Sequence, residues 1–186
     1  MVEVEKNSAR KAKQHTVYKN KEGKRIPGTT TITGVMNKPA LVSWANNLGL
    51  QGIKVKDYVD DLKEIGTLAH YLIQCHIENR KPDTLDYSLN QINSATNCLS
   101  KFTNWLNQQK FELIQAEMSL VSEEKQYGGA IDIYCKLNDK LTLLDIKTSK
   151  SVYDDHFTQV AGGYAPLLEE NGYPVEDIRI IRVGRN

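Results

Sequence analysis

Hydrophobic positions change their period partway along this chain. From Asp57 to about Arg80, the residues Val59, Leu62, Ile65, Ala69, Leu72 and Ile73 recur at the spacing of an amphipathic helix. Tyr87 to Lys110 repeats the pattern with Ile92, Ala95, Leu99, Phe102 and Leu106. Upstream, Pro39 suits the start of a helix over PALVSWANNLGL that Gly49 ends, and Thr29, Thr30 and Thr31 suit the cap of a short helix through Met36. Beyond Lys110 the period falls to two. FELIQAEMSLVS sets Ile114, Ala116, Met118 and Leu120 on one face, and GGAIDIYCKL does the same with Ile131, Ile133 and Cys135. KLTLLDIKTS is a third strand, Asp154 to Glu170 is a helix ended by Asn171-Gly172, and EDIRIIRVG is a last strand. The order predicts an α/β fold in which helices flank a central mixed β-sheet.

The turns fix which residues face each other. A two-residue loop at Asn138-Asp139 pairs Leu137 with Lys140. Carried along the hairpin, this register sets Ile133 opposite Leu144, Ile131 opposite Ile146 and Asp132 opposite Asp145. A slip of one residue would destroy both the apolar and the acidic match. Two aspartates so placed have Cβ atoms about 5 Å apart, and like charges there are destabilising. A divalent cation is the simplest compensation, because hard carboxylate oxygens bind one well. Lys147 lies two residues past Asp145 and so on the same side of the strand. With residues 122–127 as the preceding loop, Val121 pairs with Gly128, Met118 faces Ile131 and Glu117 falls opposite Asp132. Gly128 and Gly129 suit a bulge or a close backbone approach beside these acids.

Composition narrows the setting. The 186 residues suit one domain that buries roughly 70% of its unfolded surface. Net charge is +1, against a protein that coats nucleic acid non-specifically. Residues 1–30 nevertheless carry an excess of +5, from eight Lys or Arg against three Glu. They form a basic N-terminal arm of the same domain, with a polar hairpin that turns at Glu22-Gly23. That arm is a solvated edge or a phosphate-contacting one, with Lys24 and Arg25 as candidate contacts. No apolar run approaches the roughly 18–20 residues of a membrane helix, and the first residues lack a secretion-signal core. Cys75, Cys98 and Cys135 form no CxxC pair. They fit a reducing, cytoplasmic setting.

At its acidic residues the sequence resembles the PD-(D/E)XK nuclease superfamily, and within it the RecB-like exonuclease branch with its small phage-type members. The matching pieces are Gly66 to His70, Glu117 in QAEMSL, Gly129 to Asp132, Leu144 to Thr148 and the helix from Gln159 to Tyr164. They span residues 66–164, and RIPGTTTITGVMNKP resembles the segment that precedes them in such proteins. The resemblance implies a restriction-endonuclease-like core over residues 31–186. It implies Asp132 and Asp145 as ligands of Mg²⁺ or Mn²⁺, with the Ile146 carbonyl as a further ligand. Glu117 completes the acidic cluster directly or through water, and His70 is a ligand from the helix. Lys147 orients the attacking water or stabilises charge on the phosphate.

DNA is the implied partner and phosphodiester hydrolysis the implied reaction, in repair, recombination or phage DNA processing. An endonuclease, or a non-catalytic binding module that keeps the fold, are the alternatives. Gln159 and Tyr164 would touch nucleic acid, yet QVAGGY spaces them five residues apart rather than the branch's usual four. Either Gly162-Gly163 distorts the helix or Tyr164 does not share the role of Gln159. Tyr18, Trp44 and Tyr71 are candidates to stack on unpaired bases or to pack in the core. Some relatives hold an iron–sulfur cluster on four cysteines; three scattered ones predict none here. Polarity, strand preference and oligomeric state stay open.

Overall fold

Two long amphipathic stretches and three linked strands set the architecture. A computed structural model describes residues 16–36 and 38–186. The basic positions Lys6, Arg10, Lys11 and Lys13 of the expected arm lie outside the described residues. The chain runs through β1 (Tyr18–Lys19), β2 (Arg25–Ile26), α1 (Thr29–Thr33), α2 (Pro39–Leu50), α3 (Val55–Ile77) and α4 (Leu89–Leu106). It continues through β3 (Phe111–Ser122), β4 (Tyr127–Leu137), β5 (Lys140–Lys147), α5 (Asp154–Gln159), a π-helical turn (Val160–Tyr164), α6 (Ala165–Glu170) and β6 (Asp177–Arg182). Among the described residues no helix is long and apolar enough to cross a membrane.

β3, β4, β5 and β6 form one mixed sheet in that order, antiparallel except for the parallel β5–β6 pair. Its two faces carry separate cores. On one, Leu68, Leu72 and Ile73 of α3 and Ala95 and Phe102 of α4 pack against Ile133, Cys135, Leu144 and Ile146. On the other, Val160, Tyr164, Leu167 and Leu168 pack against Met118, Ile131, Tyr134 and Leu143. The buried positions of α3 are Ile65, Leu68, Ala69, Leu72, Ile73 and Cys75; the expected stripe holds from Ile65 on, while Val59 and Leu62 are half-buried. α4 starts at a capping box in which Ser88 and Gln91 exchange hydrogen bonds, and Gln91 Nε2 also donates to Asp61 and Glu64 of α3.

Both predicted hairpins form. The Asn138-Asp139 turn has φ of 48° and 68°, the left-handed pair that a two-residue turn requires. Leu137 pairs with Lys140, Ile133 with Leu144, Met118 with Ile131 and Val121 with Gly128. The β1–β2 hairpin also forms, with Gly23 at φ 79°.

Three expectations are corrected. First, α1 is not capped by threonine hydroxyls: Gly28 is the cap, and Thr29 Oγ1 donates to Gly128 O. α1 ends at Thr33 rather than at Met36. Second, Gly49 lies within α2, which ends near Gly52 at φ 74°. Third, the strands do not keep one apolar face. A bulge between Leu113 and Gln115 leaves Ile114 exposed, and Ile131 belongs to one core while Ile133 belongs to the other. The reversal falls where Glu117 has φ 51° and where Asp132 pairs with neither neighbouring strand. The β4–β5 ladder stops at Ile133–Leu144, so Ile131 and Ile146 do not pair.

The β1–β2 hairpin is pinned to β4 by bare glycine backbone. Gly128 N–H donates to Pro27 O, and a Cβ at Gly128 would stand 2.2 Å from Tyr18 Cγ. Gly128→Ala should therefore cost about 1–3 kcal/mol by overpacking, read as a fall in Tm of several degrees. Gly162→Ala, where the added carbon meets nothing within 4 Å, should leave Tm within about one degree of wild type.

Candidate metal centre in the splayed hairpin

The strand reversal gathers polar groups that regular pairing would hold apart. Asp132, released from both ladders, accepts the Ile146 N–H at Oδ2 (2.9 Å) and lies 3.3 Å from His70 Nδ1 at Oδ1. His70 comes from α3, one turn after Gly66, where the missing side chain lets Thr148 approach: a Cβ there would lie 3.3 Å from Thr148 Oγ1. Glu117 projects from the reversal point of β3. Single ligand atoms of His70, Glu117 and Asp132 all lie within 4.8 Å of one another.

Asp145 stands beside this trio. Its side chain is 2% exposed and faces Lys147, whose Nζ is 3.1 Å from Oδ1 and 2.8 Å from Oδ2. The Oδ2 contact has the distance of an ion pair but not the geometry of a hydrogen bond, so Oδ2 is a buried acceptor without a donor. Lys147 also donates to Gln159 Oε1 (3.1 Å), and Gln159 Nε2 donates to the Tyr164 hydroxyl (2.6 Å). The widened π turn resolves the five-residue spacing: the Ala165 N–H bonds to Val160 O, and Gln159 and Tyr164 meet on one side. Gly129 makes room for the Tyr164 ring, because a Cβ there would stand 2.9 Å from Tyr164 Cε1.

These environments push the two aspartates apart in acidity. Burial and the neighbouring Asp132 charge raise Asp145 to about 6, against the opposing pull of Lys147. Burial acts to raise Asp132 too, but His70, Lys147 and the Ile146 N–H outweigh it and lower Asp132 to about 2. Burial disfavours the His70 imidazolium, yet the charges of Asp132, Glu117 and Asp145 win and raise its pKa. Burial, then the charges of Asp132 and Asp145, push the Tyr164 hydroxyl up.

The donor set suits a small divalent cation. One imidazole and two carboxylates converge, and a cavity of about 10 Å³ lies among His70, Glu117, Asp132 and Ile146, while Asp145, ion-paired to Lys147, stands outside both the converging set and the cavity lining. The cavity is roughly room for one water-sized body. A nitrogen ligand among oxygens fits Mn²⁺ as well as Mg²⁺. Ile146 takes part through its N–H, which donates to Asp132; its carbonyl is the ligand that the resemblance implies.

Around the centre opens a groove of about 1540 Å³, lined by the β1–β2 hairpin, α1, α2, α3 and the strand ends. Arg25 lines it; Lys24 is exposed but is not among the lining residues. Tyr18 and Trp44 line it as well, Trp44 tilted against Tyr58 at 6.1 Å. Tyr71 does not: it packs on the α3–α4 core and its hydroxyl accepts from Asp83 N–H. His156, which no sequence motif marks, also lines the groove. Burial and then the Lys147 charge lower its pKa. The available signal was its three-residue spacing from Gln159, which puts both on one helix face. The three cysteines are buried thiols in the core. No family model and no curated protein matches the chain.

Two outcomes follow. Because the folded pKa of Asp145 lies above its unfolded value, the folded state holds that proton more tightly. Stability from this group is present below about pH 4 and is lost as pH rises to about 6. In metal-free protein the stability of wild type relative to Asp145→Asn should therefore fall by about 1–3 kcal/mol between those limits. Urea unfolding of both proteins at each pH measures it, and a flat difference contradicts the assignment. Mn²⁺ at about a hundred times its Kd should add about 2.7 kcal/mol to wild-type stability. His70→Ala or Asp132→Ala should remove most of that gain in a thermal-shift titration.

Proposed function

We propose that this chain is a metal-dependent DNA nuclease of the PD-(D/E)XK kind, an exonuclease of the RecB-like branch, built on a restriction-endonuclease-like core. The observation that carries the reading is Lys147 bound between Asp145 and Gln159 beside the converging His70, Glu117 and Asp132. A cation site alone would serve structure. A cation site flanked by a positioned ammonium in an open groove serves the hydrolysis of a phosphate ester.

His70, Glu117 and Asp132 would hold one Mg²⁺ or Mn²⁺, with Asp145 Oδ2 as a further ligand. When bound, the ion supplies Lewis acidity toward a phosphate oxygen and lowers the pKa of a coordinated water. The chain's own groups then divide the remaining work. The Ile146 N–H and His70 hold the Asp132 carboxylate in place. Asp145 and Gln159 each accept one N–H of Lys147, which leaves a third for the attacking water or a phosphate oxygen. Tyr164 accepts from the Gln159 amide, which fixes the amide's orientation and turns its oxygen to Lys147. Tyr18 and Trp44 offer rings to unpaired bases, and Arg25 offers charge to the backbone. Without a cation the acids would repel a polyanion, so metal is needed for binding as well as for chemistry.

End-labelled linear and closed-circular DNA, incubated with and without Mg²⁺ or Mn²⁺, tests the reading. Linear DNA should be degraded from its ends only when metal is present. Lys147→Ala and Asp145→Ala should each lower the rate at least about a hundredfold while far-UV CD stays unchanged. Cleavage of closed circles would make the protein an endonuclease. DNA binding without cleavage under either metal would make it a non-catalytic module and overturn the proposal.

A further inference from the structure

The four residues after β6 run past the site and are fastened there. The Val183 N–H donates to Lys147 O (2.9 Å), which extends the pairing beyond the strand end. α4 then grips the tail through Cys98 Sγ on Val183 O (3.5 Å), Lys101 Nζ on Gly184 O (3.2 Å) and Asn97 Nδ2 on Arg185 O (3.1 Å). The backbone at Arg185 is therefore held on both sides of its side chain.

That side chain lines the groove together with Asp145 and Lys147. Its Nη2 reaches Thr148 Oγ1, the residue after Lys147, at a long 3.5 Å. Its Nε is buried and makes no hydrogen bond, and among the described residues no carboxylate pairs with it. Arg80 and Arg179, by contrast, are each paired with an acid two residues away. The nearby groove acids are already engaged: Asp145 by Lys147, and Asp132 by His70 and Ile146.

A buried guanidinium donor without an acceptor is costly. Five N–H donors in a rigid fork match the paired oxygens of a phosphate better than any neighbouring protein group does here. We infer that Arg185 is a phosphate-binding residue, which takes the non-bridging oxygens of a phosphodiester next to the one beside Lys147. Fixed at its backbone by α4, it sets the register of the strand relative to the metal centre. The inference rests on the groove accepting a nucleic-acid strand.

The test compares wild type, Arg185→Gln and Arg185→Lys. Binding of a short fluorescein-labelled single strand is followed by anisotropy with Ca²⁺ across a salt series. Steady-state cleavage is followed with Mn²⁺. Arg185→Gln should bind about tenfold more weakly, with KM raised to match and kcat within about twofold. Its plot of log affinity against log salt should be shallower by about 0.7, the loss of one single-strand phosphate contact. Its Mn²⁺ thermal shift should equal that of wild type. Arg185→Lys should keep the wild-type slope and lose several-fold in affinity, because a point charge lacks the fork.

Equal slopes and equal KM for wild type and Arg185→Gln overturn the assignment. If Arg185→Gln does not fold, wild-type affinity in Arg185→Lys overturns it instead. A wild type that binds with an Arg185-dependent slope but never cleaves would sink the nuclease reading and uphold the phosphate site. A wild type that binds no strand overturns both.

Discussion

Asp132 and Asp145 share one poorly solvated pocket at the end of a hairpin, and the rest of the site answers that constraint. Two carboxylates in such a place are expensive unless positive charge or donors surround them. The chain meets Asp132 with His70 and the Ile146 N–H, and meets Asp145 with Lys147. One oxygen of Asp145 has the Lys147 ion pair but no hydrogen bond. The surplus negative charge is what makes a cation the natural complement of the pocket.

The fold is bent to allow this. Regular pairing would carry Asp132 through the sheet with its N–H and C=O committed to one neighbouring strand. Instead the strands part after Ile133–Leu144, and Glu117 adopts a left-handed conformation that costs on the order of 1 kcal/mol. The π turn is a second departure. Its extra residue brings Gln159 and Tyr164 together behind Lys147, where an α-helical turn would part them. Glycines at 128 and 129 let the hairpin and the Tyr164 ring close against β4. Irregular backbone is thus concentrated around one cluster of charge.

Much of the scaffold was legible in the residues. The apolar stripe of α3 located that helix to within a few residues, and the Asn138-Asp139 turn set a register that the β4–β5 hairpin keeps. The loop over residues 122–127 set the β3–β4 register, which anticipated Glu117 beside Asp132. Side-chain alternation failed at Ile131 because it assumes an unbroken strand, and nothing in AIDIY announces where a strand turns over. β4 also proved covered on both faces, with Tyr134 buried on the side expected to be acidic and polar. His70 was singled out by resemblance, since a lone histidine on an apolar helix face carries no signal of its own. The Gly162-Gly163 distortion was one of two readings of QVAGGY, and hydrogen bonding decides for it. His156 and Arg185 were missed because their roles depend on neighbours far away in sequence.

The central claim is that the splayed hairpin and α3 together make a divalent-cation site. Anomalous X-ray diffraction from crystals of the protein grown with Mn²⁺ tests it most directly. The account predicts an anomalous peak coordinated by His70 and Asp132, with Glu117 within one water of the ion. A peak elsewhere, or none at saturating Mn²⁺, would contradict it.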